Sequence, residues 1–219
     1  MDGIGSFIFL TDMDLGKNSD VQLTLTSRAL QIAASELAAR GLQMPAHFRC
    51  VSDNATGETK NNYVFQWMCW LVARRKIISG MFCQGRVGHT HGREDRKFAI
   101  AAKGLRQSRV LQDPEDFAER LRKTLAPSAE GKLVIEKLDV CFKWREFFAL
   151  LPLQFRFKGI TQTHTTYEKG EEACHVFKFV RRETLGEKIQ VNNPFTGVRE
   201  SPRDVVLLVK QYMASTEMA

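Results

Sequence analysis

The sequence predicts an α/β fold, and three observations carry that expectation. Apolar or alternating runs at 6–11, 47–52 and 77–88 read as strands. Stretches of helical period at 20–40, 61–76 and 92–107 follow them in turn, so helices should cover a sheet layer. Beyond "APSAEGK", 126–132, the pattern changes, which sets a boundary between residues 1–127 and a smaller α+β extension, residues 128–219.

Each element has a local reason. "SFIFLT", 6–11, is a short apolar strand, and Asn18 or Ser19 caps the helix that follows. In that helix Val21, Leu25, Ala29, Ile32, Ala33 and Leu37 recur at helical spacing until Gly41 and Pro45 stop it. "HFRCVS", 47–52, alternates and leads into Asp53. The next helix carries Val64, Trp67, Met68 and Leu71 on one face. In "DPEDFAERLRKTL" Asp113 caps, Pro114 takes the first turn and Asp116 completes a box-like pattern. Residues 132–141, 153–159 and 174–180 read as strands, with a short helix in "FKWREFFALL". "SPRDVVLLVKQYM" is ambiguous: its opening reads as a helix start and its Val-Val-Leu-Leu-Val as a strand.

Composition narrows the class. Hydrophobic residues are 43% and charged residues 26% of 219, ordinary for a globular protein. No apolar run reaches the length of a membrane span, and the N-terminus has too short an apolar core for a signal peptide. Five cysteines are widely spaced with no CxxC, which argues against a disulfide framework or zinc ribbon and for a reducing, intracellular location. Net charge is +7, yet residues 60–109 alone hold eleven Lys or Arg against Glu94 and Asp95, a local balance of +9. Such a segment fits a polyanion such as DNA or RNA, and equally a solvated basic face.

Two acids draw the chemistry. Asp53 follows a strand, at the end where α/β sheets meet ligands. Asp-Asn is also turn chemistry, and for Asp53 alone that is the plainer reading. Asp95 shares a helical stripe with Phe98, Ala99, Ala102 and Leu105, the stripe expected to meet the sheet. A carboxylate aimed at a core costs several kcal/mol (order of magnitude) unless it is paired or holds a metal. The alternative is an N-terminal Asp favoured by the helix dipole, or one paired with Arg96 or Lys97.

The neighbours are polar or basic. His89 and His91 are two apart, so on a continuing strand they share a side. They can position a phosphate or a water, or fill a tight Gly88–Gly92 loop; a zinc site lacks further ligands. Lys60 and Asn61 open the second helix, where backbone N–H groups and a lysine suit an anion. Arg93, Arg96 and Lys97 can bind a phosphate backbone, although basic residues on this helix do not all share a face.

"DNATGETKNN" followed by "GHTHGREDRKF" resembles a family of transposon-derived, ribonuclease-H-like domains related to DDE-type transposases and integrases. The matching positions are Asp53, Asn54, Lys60, Asn61, Gly88, His89, Thr90, Asp95 and Phe98, and "DVVLLVKQYM" resembles that family's ending. The resemblance implies a mixed sheet flanked by helices and divalent-metal phosphodiester chemistry in the nucleus or cytoplasm. It implies Asp53 and Asp95 as ligands to Mg²⁺ or Mn²⁺, which prefer oxygen, with His89 beside them.

The resemblance also implies a departure. The fold it describes opens on strands that carry a first acid, whereas only "SFIFLT" precedes the first helix here. The chain thus reads as N-terminally truncated, with a free sheet edge that favours self-association and with little or no nuclease activity of its own. The competing expectation is a non-catalytic module, derived from a mobile element, that binds nucleic acid or another protein.

Overall fold

A computed structural model of the chain describes residues 5–11, 15–16, 18–52, 58–59, 61–84, 93–107, 113–129, 131–150, 174–181, 199–200 and 205–211. They form five helices and seven strands in two sheets, a mixed α/β architecture. The first unit comprises residues 1–16, 24–44 and 88–142; the second comprises 17–23, 45–87 and 143–219.

The first unit is built on a two-stranded parallel sheet, β1 (Gly5–Leu10) and β4 (Lys132–Lys137), in register from Gly5 opposite Lys132 to Leu10 opposite Lys137. Gly5 is required there. A Cβ at this position would sit 2.0 Å from the Lys132 carbonyl oxygen, a backbone atom that cannot step aside. Helix α1 (Ser19–Ala39) starts at Asn18, whose Oδ1 accepts from Asp20 N at 2.9 Å and Val21 N at 3.2 Å. It ends where Gly41 turns to φ 71°. Ala33 and Leu37 of α1 pack with Phe7. Arg28 reaches Glu136 on β4 through two bonds of 2.8 and 3.1 Å, and Lys132 pairs with Glu36.

Helices α3 (Arg93–Arg106) and α4 (Pro114–Leu125) complete this unit. Asp113 caps α4 by accepting from Asp116 N at 2.7 Å, with Pro114 in the first turn, as the sequence predicts. α3 and α4 approach closely at Gly104, where a Cβ would lie 2.3 Å from the Thr124 side chain, and Arg120 Nε donates to the Gly104 carbonyl at 3.2 Å.

The second unit holds a five-stranded sheet in the order β2-β3-β5-β7-β6. β2 (His47–Ser52) and β3 (Ser79–Gln84) are parallel and joined by α2 (Asn62–Ala73), a β-α-β crossover. β5 (Cys174–Arg181), β7 (Val205–Gln211) and β6 (Arg199–Glu200) extend it antiparallel. The expected single layer over 6–107 is therefore corrected. β1 pairs with β4 in its own sheet, and the partner of β3 comes from residues 174–181. The cause is pairing rather than periodicity: β1 to β5 overlap their expected runs, β6 had none, and the run expected at 153–159 lies outside the described residues, but apolar alternation does not say which neighbour a strand takes. The ambiguous segment near residue 205 is a strand, since Val-Val-Leu-Leu-Val continues the ladder on β5.

α2 covers one sheet face. Phe65, Trp67, Met68 and Val72 are at most 1% exposed. The Phe65 ring lies 4.6 Å from Phe177, 5.4 Å from Phe179 and 5.7 Å from Phe82. Gly80 lets the helix close: a Cβ there would lie 2.0 Å from Met68 Sδ. Alternate residues of β2 show the two-sided result, with Phe48, Cys50 and Ser52 half-buried and His47, Arg49 and Val51 exposed.

Two contacts close this unit. Asp20, 8% exposed, accepts from Arg145 N at 2.9 Å and from Arg145 Nε at 2.8 Å. It thereby satisfies an orphan donor in the first turn of α5 (Trp144–Leu150), and it holds the Arg145 guanidinium above its usual pKa. α5 then packs through Trp144 and Phe147, 6.4 and 6.0 Å from the Trp70 ring. At the far end of α2, Arg75 N donates to Val72 O at 3.1 Å and Lys76 N to Leu71 O at 2.9 Å. This is a Schellman ending with Arg75 at φ 57°, where glycine is the usual residue.

Asp20→Ala is expected to destabilise the protein by ~1–3 kcal/mol, because it strips a first-turn N–H and a guanidinium of their acceptor. Urea denaturation checks this, and a change below about 0.5 kcal/mol would contradict it. Arg75→Gly is expected to stabilise the protein by roughly 0.5–1 kcal/mol by relieving the left-handed backbone. A lowered melting temperature would show instead that the arginine side chain holds the turn.

Candidate functional site

β2, α2 and β3 form the unit on which the sequence places its first acid. Ser52 is the last residue of β2, so position 53 follows at the carboxyl end of a parallel strand. Asp53 itself lies outside the described residues, as do Lys60, His89 and His91. Asp95 and Arg93 belong to α3, with side chains outside the described set. Among the described residues no three His, Cys, Asp or Glu gather as metal ligands would, and the acids and histidines of the expected site are not among the side chains described.

The stripe of α3 expected to meet the sheet is open rather than closely packed. Phe98 is 72% exposed, and Ala99 and Ala102 of the same stripe are exposed as well. The packed stripe is Lys97, Ile100, Ala101, Gly104 and Leu105. Gly104 decides this, because it is the only member of either stripe whose missing side chain admits the Thr124 side chain at contact distance. A hydrophobicity count gives that glycine no weight. Phe98, Ala102 and Leu105 of this stripe line a cavity shared with β1, and the side chain of Asp95 lies outside the described set.

The other expected contact residues divide. Asn61 is the N-cap of α2: its Oδ1 accepts from Tyr63 N at 3.1 Å and Val64 N at 3.2 Å. Lys97 is half-buried and donates from Nζ to Ser6 Oγ at 2.9 Å, tying α3 to β1. Both side chains thus have structural work. Arg96 is exposed, as are Lys103 and Arg106. Beside Lys97 the first unit has an open cavity of about 400 Å³ between β1, α3 and α4, lined mostly by apolar groups such as Phe7, Phe98, Phe117 and Leu121.

Sequence reasoning gave no separate role to Arg74, Arg75 and Lys76, all exposed where α2 ends. The signal was available: they are the only charged residues between Asn61 and Gln84.

Among the described residues Cys50, Cys69, Cys83 and Cys141 are free thiols. Burial, and secondarily Cys83, pushes the Cys50 thiol up to about 11 from 9.0. A raised thiol pKa stabilises the fold fully below the unfolded value, and that contribution is lost as pH climbs through the folded one. Stability should therefore fall between 9.0 and about 11, less steeply in Cys50→Ala, and iodoacetamide should label Cys50 slowly at mildly alkaline pH. Rapid labelling of Cys50 in the folded protein, followed by mass spectrometry, would contradict the assignment.

No described helix is long and apolar enough to cross a membrane. No curated protein and no solved structure matches the chain. A family described as a domain of unknown function (DUF7869) matches residues 2–189, and the chain belongs to that family.

Proposed function

We propose that this protein is a ribonuclease-H-like, transposase- or integrase-type domain that handles nucleic acid, with Asp53 and Asp95 as oxygen ligands to Mg²⁺ or Mn²⁺. The observation that carries the reading is the placement of Asp53. β2 ends at Ser52 in a parallel β-α-β crossover, and Asp53 is the next residue in sequence, within the Asp-Asn half of a two-part motif whose other half leads into α3. A divalent cation there would supply charge stabilisation to a phosphodiester. His89 belongs to the same reading as a group that positions phosphate or water.

A second reading has its own support. The segment of local charge +9 includes Arg96, Lys103 and Arg106, all exposed on α3. That is what a nucleic-acid-binding module with structural acids would show.

Metal titration separates the two. Millimolar Mn²⁺ should raise the melting temperature of the 219-residue chain, through binding to the native state alone. The rise should vanish in Asp53→Asn and in Asp95→Asn. Equal shifts in all three proteins would remove the metal reading and leave the binding module. Strand cleavage by the chain alone is expected to be slight. Robust cleavage with Mn²⁺, abolished by Asp53→Asn, would overturn that expectation of weak activity.

A further inference from the structure

The cavity beside β1 lies wholly within the first unit. The strand divides its side chains between two neighbours. Phe7 packs with Ala33 and Leu37 of α1, whereas Ser6 meets Lys97 of α3, whose Nζ donates to Ser6 Oγ at 2.9 Å. Against β1, helices α3 and α4 wall an open cavity of about 400 Å³. That volume is in the range of small-molecule sites. The two helices are joined by Gly104 against Thr124 and by Arg120 Nε on the Gly104 carbonyl at 3.2 Å. Lys97 ties α3 to the strand. The fold itself therefore fixes the walls.

The lining divides into an apolar body and one polar spot. Leu105, Phe117, Leu121, Leu125 and Leu133 make much of the wall. Among the described residues that line it, Lys97 is the one charged group, and no Asp or Glu joins it. Two serines line it as well. Ser128 Oγ donates to the Leu125 carbonyl at 3.1 Å, so its proton serves the fold. Ser6 differs, because its oxygen accepts from Lys97 and its own O–H remains a donor. An ammonium and a hydroxyl donor thus stand side by side in an apolar wall.

We propose that this cavity binds an apolar carboxylate of the medium-chain aliphatic class, with its head on Lys97 and Ser6 and its chain along Leu105, Phe117 and Leu121. Two adjacent donors, one of them charged, suit the two oxygens of a carboxylate and favour it over a neutral head group. Phe98 lines the same cavity while 72% exposed, so an occupant also covers apolar surface that now meets water. This role goes beyond the metal and nucleic-acid readings and depends on neither.

The test is isothermal titration calorimetry of the 219-residue protein at neutral pH with octanoate, decanoate and octanol. Octanoate is expected to bind about tenfold more tightly than octanol, the difference between a charged and a neutral hydrogen bond. Decanoate should bind about fifteenfold more tightly than octanoate, about fourfold for each added methylene. Ser6→Ala and Lys97→Met should each reduce the preference for acid over alcohol and leave octanol binding unchanged. Loss of a purely structural bond would instead weaken acid and alcohol alike. Ala102→Trp, at an exposed residue of the lining, should weaken all three ligands about tenfold by filling the space. Melting curves check folding, and if Lys97→Met is destabilised, Ser6→Ala decides because it keeps the lysine. The proposal is overturned if decanoate fails to bind at millimolar concentration, or if octanol binds as tightly as octanoate. An acid preference that survives in Ser6→Ala and in a folded Lys97→Met would overturn it too.

Discussion

The contact between Met68 and Gly80 is the constraint on which the second unit depends. α2 is a helix of large side chains, and it can lie flat on β3 only where the strand offers no Cβ. That seat fixes what surrounds it. Phe65 enters the cluster formed by Phe82, Phe177 and Phe179, Trp67 meets Phe48, and the helix axis is set against β2 and β3. The two ends of α2 then take opposite characters. Its start, capped by Asn61, follows the polar segment after β2, and its finish projects the basic turn at the amino ends of the strands. Burying an aromatic side chain such as Phe65 or Trp67 is worth on the order of 2–3 kcal/mol each. The ends are therefore held by the middle, and a polar or strained residue at either end is tolerated because the core over-determines its position.

Much of this was legible in the sequence because local signals and local structure agree. The caps at Asn18 and Asp113 were readable, as was the stop at Gly41, and β2 occupies the residues its alternation marks. Each of these depends on side chains within a few positions of one another. Pairing was not legible. Nothing within "SFIFLT" reveals that its neighbour is residues 132–137, and nothing within β3 reveals that residues 174–181 lie beside it. These are choices among strands of similar apolar character, decided by the whole chain. The close approach of α3 to α4 was hidden for a related reason, because it is set by a side chain that is missing at Gly104 rather than by one that is present.

The candidate site shows the same division. The expected acids and bases came from a motif; β2 ends at Ser52, and residue 95 belongs to α3. Asn61 and Lys97 show that residues beside a motif also serve the fold. Both are polar residues beside a motif, and each spends its hydrogen bonds on the fold, one on a helix start and the other on Ser6. A helix N-terminus that suits an anion is equally well served by its own cap.

The account turns on whether Asp53 and Asp95 share one cation. The most direct measurement is paramagnetic broadening in the amide spectrum of isotopically labelled protein at substoichiometric Mn²⁺. A shared ion predicts that amides next to residues 53 and 95 broaden together, at the same metal concentration and ahead of any others. Broadening around one acid alone, or spread over exposed carboxylates such as Glu115 and Glu146, would contradict it.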